Sequence, residues 1–72
     1  MNELWSIIGD DTDSWYDIFT NRQGDGDYRS VVYWHQPDGE RLQSSVVIEQ
    51  SYLSQKAAIK GHEALFNKYK EL

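Results

Sequence analysis

The sequence predicts an α+β fold, in which an antiparallel sheet of three or four strands carries one C-terminal helix packed on one face. Three observations predict it. Two runs rich in β-forming residues, Tyr28–His35 and Arg41–Ile48, flank a short turn sequence. A third β-rich run lies at residues 14–20. The segment from Gln55 to about Lys70 has helical periodicity and contains no proline.

Length and composition restrict the class of protein. At 72 residues the chain is one domain, residues 1–72, near the lower size limit for a single apolar core. It has no Cys, which excludes a disulfide or a thiolate zinc site. No apolar run approaches the roughly 20 residues that span a bilayer, and the N-terminus lacks the basic segment of a signal peptide. We therefore expect a cytoplasmic protein without membrane contacts.

Residues 2–8 fit two structures. Leu4, Ile7 and Ile8 have the spacing of a short helix, with Asn2 as a cap and Gly9 as a stop. The same residues are also good strand formers. Both alternatives remain open on the sequence alone.

Residues 14–20 favour a strand because they are rich in aromatic and β-branched side chains. The competing helix would begin at Asp13, place Trp15, Ile18 and Phe19 on one face, and end at Gly24.

The two longer β-rich runs predict a hairpin. Pro37, Asp38 and Gly39 suit a three-residue loop with a bulge. If Gln36 pairs with Glu40, one face becomes mostly apolar and is expected to be buried. It would contain Tyr28, Ser30, Val32, Trp34, Leu42, Ser44, Val46 and Ile48. The other face would contain Arg29, Val31, Tyr33, His35, Arg41, Gln43, Ser45 and Val47.

The C-terminal helix is predicted to begin after a Ser54 cap and to lie on the sheet through an apolar stripe. The stripe consists of Ala58, His62, Leu65 and Tyr69, flanked by Ile59 and Phe66. We expect His62 to be a packed residue whose ring nitrogens find hydrogen-bond partners. Gly61 costs about 1 kcal/mol relative to Ala inside a helix, which close approach to a ring on the sheet would explain.

Charge indicates what the chain binds. The whole chain has a net charge of −5, and in residues 1–27 seven acids stand against Arg22. Such a segment argues against nucleic acid and anionic membranes, and it favours a protein partner with a basic surface. The predicted contact residues are acids with Trp15 and Tyr16 as aromatic anchors: Asp10, Asp11, Asp13, Trp15, Tyr16, Asp17, Asp25 and Asp27.

Two alternatives use the outer face of the hairpin. Arg29, Tyr33, His35 and Arg41 would form a stacking platform for single-stranded nucleic acid. Alternatively, an exposed strand face would form a homodimer.

The sequence does not predict catalysis or a cofactor. No serine lies in a nucleophile-elbow pattern, and no glycine-rich loop is followed by a helix and a lysine. An EF-hand loop starting at Asn21 would put Val32 at its twelfth position, where a bidentate Glu is needed. We therefore expect neither a metal site nor an enzyme.

The C-terminal segment resembles a family. Tyr52, Leu53 and Ser54, followed by Ala57 and Ala58 and then by Gly61, His62 and Glu63, form the pattern. It resembles the C-terminal pattern of small uncharacterised proteins encoded by bacteriophages and prophages. Their first strand would correspond to Tyr16–Phe19, whereas their Glu-rich first helical turn is replaced here by Gln55 and Lys56. The resemblance implies a non-catalytic modulator or inhibitor of a host protein, acting in the host cytoplasm.

Overall fold

The computed structural model describes residues 3–9, 14–38 and 41–71. Its strands are β1 (Leu4–Ile8), β2 (Trp15–Arg22), β3 (Tyr28–Asp38) and β4 (Arg41–Tyr52), and its helix is α1 (Gln55–Lys70). The strands form one antiparallel sheet in the order β1-β2-β3-β4, and α1 contacts all four of them. The predicted α+β fold is confirmed. No helix in the described part of the chain is long and apolar enough to cross a membrane.

The structure settles both alternatives in the N-terminal third in favour of strands. Leu4 pairs with Thr20 and Ile8 pairs with Tyr16, so β1 is the edge strand beside β2. Alternation then turns Leu4, Ser6 and Ile8 towards the helix side of the sheet. Pairing with β2 decides the structure of a five-residue segment whose own sequence is compatible with a helix.

The predicted hairpin register is wrong near the turn. Gln36 pairs with Gln43 rather than Glu40, and Asp38 pairs with Arg41, so two residues connect the strands instead of three. The pairing is thus displaced by three residues. Because side chains alternate along a strand, an odd displacement exchanges the two faces of β4.

A bulge in β4 limits this exchange to its first half. Tyr33 pairs with Val46 and Val32 pairs with Ile48, so Val47 is the extra residue. Beyond the bulge, Ile48 lies on the helix side as predicted. Before it, the assignments are reversed: Leu42 and Val46, expected in the core, lie on the face away from the helix. Arg41, Gln43 and Ser45, expected on that outer face, lie on the helix side.

The core lies between the centre of the sheet and α1. Ile18 and Val32, paired across β2 and β3, are fully buried and pack with Leu65 and Tyr69. The buried residues of α1 are those of the predicted stripe, Ala58, His62, Leu65 and Tyr69. The cap is confirmed as well, since the Ser54 hydroxyl accepts a hydrogen bond from the Ala57 N–H at 3.1 Å.

Gly61 lies where α1 packs against the Tyr52 ring. A Cβ atom added at this position would overlap the ring and hydroxyl of Tyr52, the last residue of β4. Tyr52 is itself buried. The glycine is therefore required by contact with a ring, as the sequence predicts.

We expect Gly61→Ala to destabilise the protein by about 1–3 kcal/mol, because the added methyl group overpacks the Tyr52 contact. Helix propensity alone would stabilise this variant by about 1 kcal/mol. The free energy of unfolding in urea measures the difference. In a Tyr52→Leu background the same substitution should become neutral or stabilising; equal destabilisation in both backgrounds would contradict the assigned contact.

Candidate functional site

The face of the sheet opposite α1 is the candidate site, and we call it the open face. Strand register places four rows of side chains on it. From one end of the sheet to the other they are Asn21, Arg29 and Ser51; Trp5, Phe19, Val31 and Glu49; Ile7, Asp17, Tyr33 and Val46; and Trp15, His35 and Ser44. Leu42, beside Pro37, lies beyond the last row.

Large apolar side chains on the open face are exposed to solvent. Trp5 is 58% exposed, Ile7 50%, Leu42 54% and Val46 55%. They lie at both edges of the sheet and towards the hairpin end. Several large apolar side chains exposed on the same face of a small protein indicate an interaction site.

Aromatic rings form a continuous ladder across this face. The Trp5 and Phe19 rings stack with centroids 5.8 Å apart, and Phe19 meets Tyr33 edge-on at 5.8 Å. The Tyr33 and His35 rings stack with centroids 6.2 Å apart, and the His35 and Trp15 rings stack with centroids 5.2 Å apart. Each ring is held by a neighbour in a sheet, so the ladder is ordered before any partner binds.

A polar trio fixes the middle of the ladder. His35 Nε2 lies 2.8 Å from Asp17 Oδ2, and His35 Nδ1 lies 2.7 Å from the Ser44 hydroxyl. Because an ionised carboxylate only accepts, Nε2–H donates to Asp17, while Nδ1 and the Ser44 hydroxyl form the second hydrogen bond. The Trp5 indole N–H also approaches Asp17, at 3.4 Å. The side chains of His35 and Asp17 are only 16% and 13% exposed, which orients both groups.

The order Ser44–His35–Asp17 resembles a hydrolase nucleophile with its base, but its position does not suit that chemistry. Acyl transfer needs backbone or side-chain donors aimed at the developing oxyanion. Ser44 projects from the face of an extended strand, whose N–H groups lie in the plane of the sheet. The trio therefore orients rings and leaves an ordered polar patch among them.

A shallow hollow of about 650 Å³ lies in the open face between its charged and aromatic side chains. Phe19, Val31 and Tyr33 line it together with the carboxylates of Glu3, Asp17 and Glu49. Arg29 and His35 also line it. With His35 bound to Asp17, the hollow has three carboxylates against one guanidinium, and its charge is negative.

The predicted protein-binding residues are divided by the structure. Asp10, Asp11 and Asp13 lie outside the described residues. Trp15 and Asp17 lie on the open face. Tyr16 lies on the helix side, where its ring packs on Tyr69 with centroids 4.9 Å apart, so it supports the fold and is no open-face anchor.

Asp25 and Asp27 lie apart from the open face, in the turn between β2 and β3. The Asp25 carboxylate accepts from the Asp27 backbone N–H at 3.0 Å, and Gln23 N–H donates to the Asp27 carbonyl at 2.6 Å. Asp25 thus has a local role in the turn.

The residues predicted for nucleic-acid binding also lie on two different faces of the sheet. Arg29, Tyr33 and His35 lie together on the open face, as predicted. Arg41 pairs with Asp38 and lies on the helix side, because the register differs from the predicted one. Trp5, Phe19 and Val46 also belong to this face, although they were not among the predicted site residues. Alternation along β1 and β2 is the signal that identifies the first two once these segments are strands.

His62 forms a second polar cluster, buried between α1 and the sheet. Its Nε2 lies 2.9 Å from the Ser6 hydroxyl and its Nδ1 lies 2.7 Å from the Thr20 hydroxyl. Thr20 in turn lies 2.5 Å from the Ser30 hydroxyl. His62 is therefore a packed residue with satisfied nitrogens, as predicted. Burial lowers the pKa of His62 below the ordinary value, and the nearby Glu63 carboxylate raises it by a smaller amount.

The described part of the chain contains no cluster of three or more metal-ligating side chains. In residues 3–9, 14–38 and 41–71, no three His, Cys, Asp or Glu side chains are placed to hold one ion.

We expect stability to fall as the pH is lowered from about 7 towards 5, because unfolded His62 takes up a proton near pH 6.5 while folded His62 stays neutral. The loss begins below the unfolded pKa and ends at the lower folded pKa. Its slope is at most about 1.4 kcal/mol per pH unit for one proton. Urea unfolding at a series of pH values measures it.

His62→Gln should remove this slope, because glutamine takes up no proton in this pH range. A His62→Gln protein with the wild-type slope would contradict the assignment.

Comparison of the chain with protein families, curated proteins and solved structures found no match. The resemblance of the C-terminal segment to small phage-encoded proteins therefore stays a prediction.

Proposed function

We propose that this protein is a non-catalytic protein-binding domain whose docking surface is the open face. The observation that carries the proposal is the exposure of Trp5, Ile7, Leu42 and Val46 around an ordered ladder of rings. Aromatic side chains held on a rigid scaffold lose little conformational entropy when a partner binds. Binding sites of high affinity are commonly centred on such residues.

Charge supports a partner with a basic and partly apolar surface. The open face and its border carry Glu3, Asp17 and Glu49 against Arg29, and the whole chain has a net charge of −5. Such a surface attracts basic proteins and repels the phosphates of nucleic acids. This charge distribution favours a protein partner over the nucleic-acid alternative.

Trp15 keeps its proposed role as an anchor, because it stacks on His35 at the hairpin end of the open face. Asp10, Asp11 and Asp13 precede Trp15 in the sequence. We propose that these acids add to the attraction for a basic partner. Inhibition of a host protein is one biological use of such binding, and it rests on the phage resemblance alone.

Self-association is the second candidate, and the observation that favours it is the length of β4. This edge strand has 12 residues, and nearly all of them are exposed. Its outer edge offers unpaired backbone groups to another strand. A second copy could therefore extend the sheet, although the Val47 bulge interrupts regular pairing.

Affinity capture from a bacterial lysate, followed by titration of the captured protein, tests the proposal. Trp5→Ala and Val46→Lys should each weaken binding about 30-fold or more, as expected when a large contact residue of an interface is removed or replaced by a charge. Leu53→Lys is the control, because Leu53 is an exposed aliphatic residue outside the strands. Thermal unfolding should change little in all three variants, since the substituted side chains are exposed.

Equal capture by the wild type, Trp5→Ala and Val46→Lys would contradict open-face docking. Sedimentation velocity at micromolar concentration tests the second candidate. A dimer at this concentration would support pairing of β4 edges between two copies, and a monomer would contradict it.

A further inference from the structure

The hollow in the open face has the chemistry of a cation site. The Phe19 and Tyr33 rings line the hollow and meet edge to face, with an interplanar angle of 77°. Val31, between Phe19 and Glu49 in the same row, adds an apolar floor. Aromatic faces carry partial negative charge and attract cations placed over them.

Two carboxylates at the hollow have no ionic partner among residues 3–9, 14–38 and 41–71. Asp17 is bound to His35 and to Trp5, whereas Glu3 and Glu49 form no ion pair with any residue of the described ranges. Both are exposed. They are therefore ready to pair with a cation supplied from outside.

We propose that the hollow is a subsite for an arginine side chain of the protein partner. Its guanidinium group would lie against the Phe19 and Tyr33 rings and pair with Glu49, and Glu3 at the opposite edge of the sheet would add to the attraction. Arginine suits this site better than lysine, because its planar group stacks on rings while its N–H groups bind carboxylates. The inference rests on the proposed function, since it specifies the chemistry of the partner at the same surface.

Arg29 makes the proposal distinguishable from nucleic-acid binding. It lines the same hollow and forms no ion pair with another described residue. For a cationic ligand Arg29 is a repelling charge, whereas for phosphate it would be an attracting one. Removal of the Arg29 charge must therefore raise the affinity for a cationic ligand and lower the affinity for a nucleic acid.

The test is an NMR titration of the ¹⁵N-labelled protein with N-acetyl-arginine amide. N-acetyl-citrulline amide, which has the same shape without the charge, is the matched ligand. We expect saturable shifts of the Phe19, Val31 and Tyr33 amide signals with the arginine probe and much smaller ones with citrulline. Glu49→Gln should weaken binding of the arginine probe about threefold, in keeping with the strength of an exposed ion pair.

Two further variants complete the test. Glu71→Gln makes the same charge change at the C-terminal end of α1 and should leave binding unchanged. Arg29→Gln should strengthen binding of the arginine probe about twofold.

Equal shifts with both ligands, or no localised shift up to tens of millimolar probe, would overturn the arginine subsite. So would binding of oligothymidylate that Arg29→Gln weakens, which would assign the face to nucleic acid. Loss of partner capture in Trp5→Ala would still support open-face docking if the arginine probe failed. The two proposals therefore fail separately.

Discussion

The packing of α1 on the centre of the sheet is the interaction on which the rest of the structure depends. Ile18 and Val32 supply the apolar contact with the helix stripe. His62 links α1 to β1 and β2 through hydrogen bonds to Ser6 and Thr20. Because the described chain has a single helix, this packing buries only one face of the sheet. The exposure of the other face follows from how the core is built.

The helix was the most predictable element because its signals are local. The Ser54 cap, the apolar stripe and the Gly61 contact depend on spacing within one segment, and all three are found in the structure. The register of β3 and β4 was not predictable in the same way. It depends on the length of the connection between β3 and β4 and on the extra residue Val47. A shift of the pairing by one residue, from either cause, exchanges the two faces of β4.

Some members of each of the two sets of binding residues predicted from the sequence lie together on the open face. Trp15 and Asp17 came from the acidic segment, and Tyr33 and His35 came from the hairpin. In the structure His35 stacks on Trp15 and bonds to Asp17, which joins the sets across β2 and β3. No local pattern shows this, because the residues are separated in sequence and meet only through strand pairing. Their combined charge and half-buried rings support the proposed basic protein partner.

A docking surface on the open face is accessible in the isolated protein and covered in the complex. Hydroxyl-radical footprinting with mass spectrometry measures this accessibility directly. We expect rapid oxidation of Trp5, Leu42 and Val46 in the isolated protein, slow oxidation of Tyr52 and Tyr69, and protection of the first three when the partner binds. Slow oxidation of Trp5 and Val46 in the isolated monomer, or no protection in the complex, would contradict it.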